Sequence, residues 1–148
     1  KKSTFIISKA IGSVLNIVGS ELKHSNIELQ VIDNQNLEIF ANKNEFSHVL
    51  MNLIINSKDA LDENKIKNPY IQINIFKKNY KTLIEVKDNA LGIKKDIITK
   101  IFNPYFTTKE EKGTGIGLYL SKAIIEEKLN GKLQVRNHAD GAIFSITI

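Results

Sequence analysis

Cysteine is absent from the 148-residue chain, so the sequence excludes a disulfide framework and a thiolate metal site. Long apolar runs are also absent: none approaches the roughly 18 residues that a membrane span needs. No signal-peptide core and cleavage site follow the first five residues. Arginine is nearly absent, since Arg136 is the only one among 21 basic residues. Because base reading and bidentate phosphate contacts favour arginine, the formal charge of +5 indicates a lysine-rich surface rather than a nucleic-acid interface.

The spacing of apolar residues predicts three long helices and a sheet. Helical spacing covers about residues 4–23, 43–63 and the stretch from the glycines at 113–117 to about Leu129. Alternation predicts two strands near residues 27–31 and 37–41, joined by a polar turn, and hairpins pairing 70–76 with 82–86 and 132–137 with 142–148. A short helical piece is expected around residues 96–102. These elements predict a single α+β domain, a two-layer α/β sandwich with helices on one face of a mixed, largely antiparallel sheet.

A glycine-rich stretch, "KGTGIGLYLS", precedes the third helix. Its G-x-G-x-G spacing fits neither the dinucleotide fingerprint nor the P-loop, and the preceding "TTKEEK" is too polar for the strand that both require. Glycines still let backbone N–H groups approach an anion, and a helix start adds unpaired donors and a positive dipole end. The stretch taken alone is compatible with a phosphate cradle or with a flexible loop.

The second helix carries a narrow polar stripe beside its apolar face, formed by Glu45, His48, Asn52, Asn56 and Asp59. A solvated face would lie opposite the core and be rich in lysine and glutamate. Asparagine carbonyls can ligate Mg²⁺ that already carries phosphate oxygens without adding a repelling charge. The stripe is therefore expected to face a ligand cavity. Asn42 is expected to cap this helix together with Glu45.

A third motif, "EVKDNALGI", ends a predicted strand at Asp88. A buried carboxylate at this point could accept a hydrogen bond from the exocyclic amine of adenine. An ordinary Asp-Asn turn with Gly92 at positive φ accounts for the same residues.

In this order the motifs resemble the ATP-binding catalytic domain of bacterial sensor histidine kinases, in the GHKL ATPase superfamily with its Bergerat fold. "NLIINSKDA" is similar to the N box, "DNALGI" to the first glycine box, "FNPYFTTK" to the F box with its lid, and "GTGIGL" to the second glycine box. The combination of "PYFTTK" and "GTGIGL" is most similar to the nitrogen-regulator branch.

The resemblance implies ATP and Mg²⁺ as cofactors and gives each motif a role. Asn56 would ligate Mg²⁺, Asn52 would assist, and Lys109 on the lid would contact a phosphate; these three are the expected catalytic residues. Asp88 would bind the adenine amine, with Asp59 nearby in support. The remaining expected nucleotide contacts are Gly92, Ile93, Tyr105, Thr108, Gly113, Thr114, Gly115, Ile116, Gly117 and Leu118, and Tyr105 and Phe106 would pack the lid down.

The resemblance further implies that residues 1–148 are a catalytic domain whose phosphoacceptor histidine lies on a separate dimerisation domain. His24, His48 and His138 are not followed by the acidic residue expected of an acceptor, although His48 remains open for a role near the nucleotide. The implied partners are that dimerisation domain and, through the full-length kinase, a response regulator, with no nucleic acid and no membrane contact. The implied location is cytoplasmic, either alone or as the inner part of a membrane-bound sensor.

Two alternatives remain open. One is a GHKL ATPase of the gyrase, mismatch-repair or chaperone kind, although those carry a catalytic glutamate where this chain has Asn52. The other is a degenerate nucleotide-binding module that signals by partner docking. Its warrant is Ala90, which stands where the family has glycine and would weaken ATP binding if the backbone there had positive φ.

Overall fold

The computed structural model describes residues 1–107 and 115–148. The strands are β1 (Lys2–Ile6), β2 (Glu28–Asp33), β3 (Glu38–Asn42), β4 (Tyr70–Lys78), β5 (Lys81–Asp88), β6 (Lys132–Asn137) and β7 (Ala142–Thr147). The helices are α1 (Ile7–His24), α2 (Lys43–Glu63), the short α3 (Lys95–Ile98) and α4 (Gly117–Ala123), which continues as one π-helical segment, Ile124–Lys128.

A five-stranded sheet in the order β2-β4-β5-β7-β6 forms one layer. Strand β2 runs parallel to β4, and every other neighbouring pair in this sheet is antiparallel. Helices α1 and α2 lie against this sheet and against each other. The predicted two-layer α+β sandwich with a mixed, largely antiparallel sheet is therefore confirmed.

Helix α2 has the bounds that the apolar spacing predicts, 43–63. The Asn42 side chain caps it by accepting a hydrogen bond from the Glu45 backbone N–H at 3.0 Å, which satisfies one of the donors left free at a helix start. The apolar face of α2 is buried, with Phe46, Leu50 and Leu53 fully enclosed. Burying each such side chain stabilises the fold by about 1.5–3 kcal/mol relative to leaving it exposed.

One expectation about the first 42 residues is wrong, and another is confirmed. The predicted helix from residue 4 begins at Ile7, because Lys2–Ile6 pairs as a strand with β3, from Lys2 opposite Asn42 to Ile6 opposite Glu38. The two predicted strands are present as β2 and β3, and they lie in different sheets, β2 beside β4 and β3 beside β1. Long-range pairing decides both outcomes, and local spacing does not report it.

The third helix has its predicted range but not a uniform geometry. It begins at Gly117 with regular α geometry, and residues 124–128 are π-helical. Ile125, inside the π-helical segment, is fully buried and its carbonyl accepts the Gly131 N–H at 2.9 Å. The segment therefore keeps one side chain in the core where the chain turns into β6.

Candidate functional site

A cavity of about 510 Å³ lies between α2, the segment after β5, α3 and the start of α4. This volume is within the range of ligand pockets, roughly 300–1,000 Å³. One part of its wall is polar and includes Asn52, Asn56, Glu63 and Asn64. The apolar part includes Ile55, Ile93, Ile97, Ile101, Phe106 and Leu118. The division suits a ligand with a flat apolar portion and a charged portion.

The polar stripe of α2 reaches this cavity in part. Asn52 and Asn56 line it, and the Asn52 Nδ2 donates to the Ser121 Oγ at 3.2 Å, which ties α2 to α4. The Asn56 carboxamide makes no hydrogen bond to another residue that the structure describes, so its oxygen is available to a ligand. Asp59 is half-buried and outside the cavity lining, and His48 is exposed.

Asp88 lies buried at the end of β5, with 3% of its surface exposed. Its Oδ2 accepts from the Ser57 hydroxyl at 2.9 Å, and its Oδ1 accepts from the backbone N–H groups of Ala90 and Ala142 at 3.0 and 3.3 Å. The carboxylate is thus fixed by three donors from α2, its own loop and β7. It is close to the cavity residues in sequence but is not itself part of the lining.

Tyr70 lies beside this group, at the start of β4. Burial raises the pKa of the Tyr70 phenol, and the carboxylates of Asp140 and Asp88 raise it further. The phenol is therefore neutral at physiological pH. Its backbone N–H donates to Asn89 Oδ1 at 2.9 Å, which anchors the second residue of "DNALGI".

The described part of the glycine-rich stretch meets the cavity beside Asn52. Gly115, Gly117 and Leu118 line the cavity, whereas Ile116 does not. Gly115 has φ +71°, and a Cβ there would stand 2.3 Å from the carbonyl carbon of Tyr105, so this position requires glycine.

The segment before the glycines is only partly described. The Tyr105 N–H donates to the Gly115 carbonyl at 2.8 Å, while the Tyr105 side chain is 75% exposed and outside the cavity lining. Phe106 does line the cavity. The predicted contacts Thr108, Lys109, Gly113 and Thr114 lie outside the described residues.

The turn between β6 and β7 holds the loop after Asp88, which the sequence did not indicate. The His138 Nε2 donates to the Asp88 carbonyl at 2.7 Å, and the Leu91 N–H donates to the Asp140 carbonyl at 3.0 Å. A Cβ on Gly141 would stand 2.0 Å from the Asp88 carbonyl oxygen. These partners are about 50 residues apart in sequence, so no local motif reports them.

Ala90 adopts a backbone conformation that alanine tolerates. It is not among the described residues with positive φ, which in this loop are Leu91 at +74° and Gly92 at +81°. Its side chain is buried in the core and does not line the cavity. The strain that positive φ would impose on an alanine is therefore absent at this position.

The change Ala90→Gly is consequently expected to destabilise the fold by about 0.5–1 kcal/mol, because glycine increases the entropy of the unfolded chain. Nucleotide affinity should stay within about twofold of the wild-type value, a difference below roughly 0.4 kcal/mol. Urea unfolding and a nucleotide titration check the two parts. A clear gain in affinity would show that the alanine methyl does obstruct the site.

The fold and this cavity define the class of protein. Residues 41–148 match the family described as histidine kinase-, DNA gyrase B- and HSP90-like ATPases, and the chain belongs to that family. In residues 1–107 and 115–148, no helix has the length and apolar character that crossing a membrane requires.

Two curated proteins that resemble the chain are sensor kinases. The chain is 37% identical over 99 residues to a probable C4-dicarboxylate sensor kinase of Halalkalibacterium halodurans, covering 66% of this chain and 18% of that protein. It is 31% identical over 142 residues to the sensor histidine kinase ZraS of Escherichia coli, covering 95% of this chain and 29% of ZraS. The chain thus spans less than a third of the length of these curated relatives.

Solved structures give the same assignment. The nucleotide-free catalytic domain of the histidine kinase ThkA superposes with a TM-score of 0.87 at 29% identity, over 100% of this chain and 95% of that one. ThkA in complex with the response regulator TrrA superposes with a TM-score of 0.80 at 26% identity, over 99% of this chain and 41% of that one. The chain has the fold of a histidine kinase catalytic domain.

Proposed function

We propose that the chain binds Mg-ATP in the cavity beside α2 and donates the γ-phosphoryl group to a histidine on a separate dimerisation domain of its kinase. The observation that carries the proposal is the divided wall of this cavity, with a free carboxamide at Asn56 and an apolar surface around Ile93, Ile97 and Ile101. Membership in an ATPase family and the sensor-kinase relatives support it.

The residues present fit a magnesium nucleotide. Among the described residues no group of three or more His, Cys, Asp and Glu side chains is placed to hold a metal ion. Mg²⁺ commonly takes one or two protein oxygens together with phosphate oxygens and water, and the unpaired Asn56 oxygen supplies such a ligand. Asn52 would assist from one turn earlier. Bound Mg²⁺ would neutralise charge on the phosphates and orient them.

The chain's own part in phosphoryl transfer is positioning, which is the main protein contribution in this chemistry. The apolar wall would hold the adenine ring, with Gly92 and Ile93 against the ring. Asp88 would hold the adenine end of the site in place. Gly115, Gly117 and Leu118 would lie along the phosphates. The resemblance of the lid motif and the second glycine box to those of the family assigns the same role to Thr108, Lys109, Gly113, Thr114 and Ile116.

The acceptor is proposed to come from another domain, because each histidine of this chain lies away from the cavity lining. His24 ends α1 and His48 is exposed on α2. The His138 ring bonds the Asp88 carbonyl and accepts the Asp140 N–H at its Nδ1, so both of its nitrogens are engaged. A response regulator would act at the level of the full-length kinase, as the ThkA complex with TrrA suggests by analogy.

Incubation with Mg²⁺ and γ-labelled ATP tests this proposal. The isolated chain is expected to bind ATP saturably, to release ADP slowly and to carry no label. Label on a histidine of this chain would refute the separate acceptor. Rapid turnover would favour an ATPase of the gyrase or chaperone kind, and the absence of saturable binding at millimolar nucleotide would favour a degenerate docking module.

A further inference from the structure

The loop between β5 and α3 has an unusual backbone conformation where it meets the cavity. Leu91 and Gly92 are consecutive residues with positive φ, at +74° and +81°. A leucine in the left-handed region costs roughly 1–2 kcal/mol, and such a residue persists only when its surroundings hold it in place. Leu91 is 72% exposed, so its side chain packing does not supply that restraint.

One restraint comes from the end of β6. The Asn137 carboxamide pairs with both backbone groups of Ile93: its Oδ1 accepts the Ile93 N–H at 2.9 Å, and its Nδ2 donates to the Ile93 carbonyl at 2.8 Å. A Cβ on Gly92 would stand 3.0 Å from the same Oδ1. The side chain therefore fixes the peptide groups on either side of a residue that lines the cavity.

A second restraint comes from the end of α2. The Asn64 Nδ2 donates to the Ala60 carbonyl at 3.0 Å and to the Ala90 carbonyl at 3.1 Å, which joins the last turn of the helix to the loop. Asn64 also lines the cavity. The residue that caps the helix carrying Asn52 and Asn56 thus also bonds the loop after β5.

We propose that Asn64 and Asn137 are positioning residues that hold the loop over residues 90–93 in the shape that selects the purine base. The proposal rests on nucleotide binding in this cavity, as proposed above, and goes beyond it by naming what sets the choice of base. A loop held in one shape can discriminate between adenine and guanine, because a misplaced hydrogen-bonding group leaves buried polar groups unpaired. We call Asn64 and Asn137 together the clamp. Binding of the phosphates, which involves other elements, should not depend on the clamp.

The test compares Asn137→Ala and Asn64→Ala with Gln134→Ala, a control that removes an exposed carboxamide from the same strand as Asn137. Kd values for ATP, GTP and tripolyphosphate would be measured with Mg²⁺. Each clamp variant is expected to lose about tenfold or more in ATP affinity, the effect of roughly 1.4 kcal/mol. Affinity for tripolyphosphate should change less than twofold. Affinity for GTP should fall by less than affinity for ATP, so the preference for ATP over GTP decreases. The control should match the wild type.

Equal losses for all three ligands would overturn the proposal, since they would reflect a general loss of structure. Unchanged ATP affinity in folded variants would also overturn it, while leaving the proposed function intact. A wild-type chain that binds none of the ligands would overturn both. Should Asn137→Ala fail to fold, the isosteric Asn137→Asp answers the same question, because it keeps the acceptor for the Ile93 N–H but sets a carboxylate against the Ile93 carbonyl.

Discussion

Asn56→Ala is expected to weaken Mg-ATP binding by about tenfold to a hundredfold. The change removes the unpaired carboxamide oxygen proposed to ligate Mg²⁺, and interactions with charged groups contribute roughly 1.5–3 kcal/mol. The free energy of unfolding should change by less than about 0.5 kcal/mol, because the side chain is half-exposed and bonds no other described residue. Calorimetric titration and thermal unfolding measure the two quantities.

The matched control is Asn44→Ala, which removes an exposed asparagine from the first turn of the same helix. Its Kd should equal that of the wild type. Chelation of Mg²⁺ should reduce the difference between Asn56→Ala and the wild type, since the lost interaction passes through the metal. If Asn56→Ala and Asn44→Ala bind ATP with equal affinity, both with and without Mg²⁺, then Asn56 is not a ligand of the metal.

Gly141→Ala is expected to destabilise the fold by about 3 kcal/mol, the upper part of the range for overpacked positions. The new Cβ would stand 2.0 Å from the Asp88 carbonyl oxygen and 2.8 Å from Oδ1 of the same residue. The backbone oxygen cannot rotate away, so the β6–β7 turn and the end of β5 must separate. Urea unfolding measures the loss, and the melting temperature should fall by about 10 °C for a chain of this length.

Gly12→Ala serves as the opposite control. A Cβ at Gly12, which is exposed on α1, meets no atom within 4 Å. Because alanine favours the helix over glycine, this variant should gain about 0.5–1 kcal/mol. A neutral Gly141→Ala would show that the turn can relax without cost, and the account of how Asp88 is fixed would then be wrong.

The sequence predicts the elements whose signals are local. Helix α2 has both a capping residue, Asn42, and a continuous apolar face, and its predicted bounds are confirmed. Strand β1 has no such signal, because Phe5 and Ile6 fit the helical spacing of the residues that follow. Only its pairing with β3, more than 30 residues later, makes it a strand.

In the candidate site, too, the sequence predicts residues that lie in short motifs and does not predict residues that act through long-range contacts. Short motifs led to Asn52, Asn56, Gly92 and Ile93, and the structure brings all four to one cavity. The sequence does not predict the clamp formed by Asn64 and Asn137, because its hydrogen bonds join residues 26 and 44 positions apart. No sequence pattern marks a carboxamide that pairs with a distant peptide group. The roles of the four motif residues remain predictions.

A titration of the isotope-labelled chain with Mg-ATP, followed by NMR, tests the central claim most directly. We expect saturable shifts of the Asn56 side-chain amide and of the Gly92, Ile93 and Gly117 backbone amides, while Gly12 stays unchanged. Saturable shifts confined to other parts of the chain, or none at millimolar nucleotide, would contradict a nucleotide site beside α2.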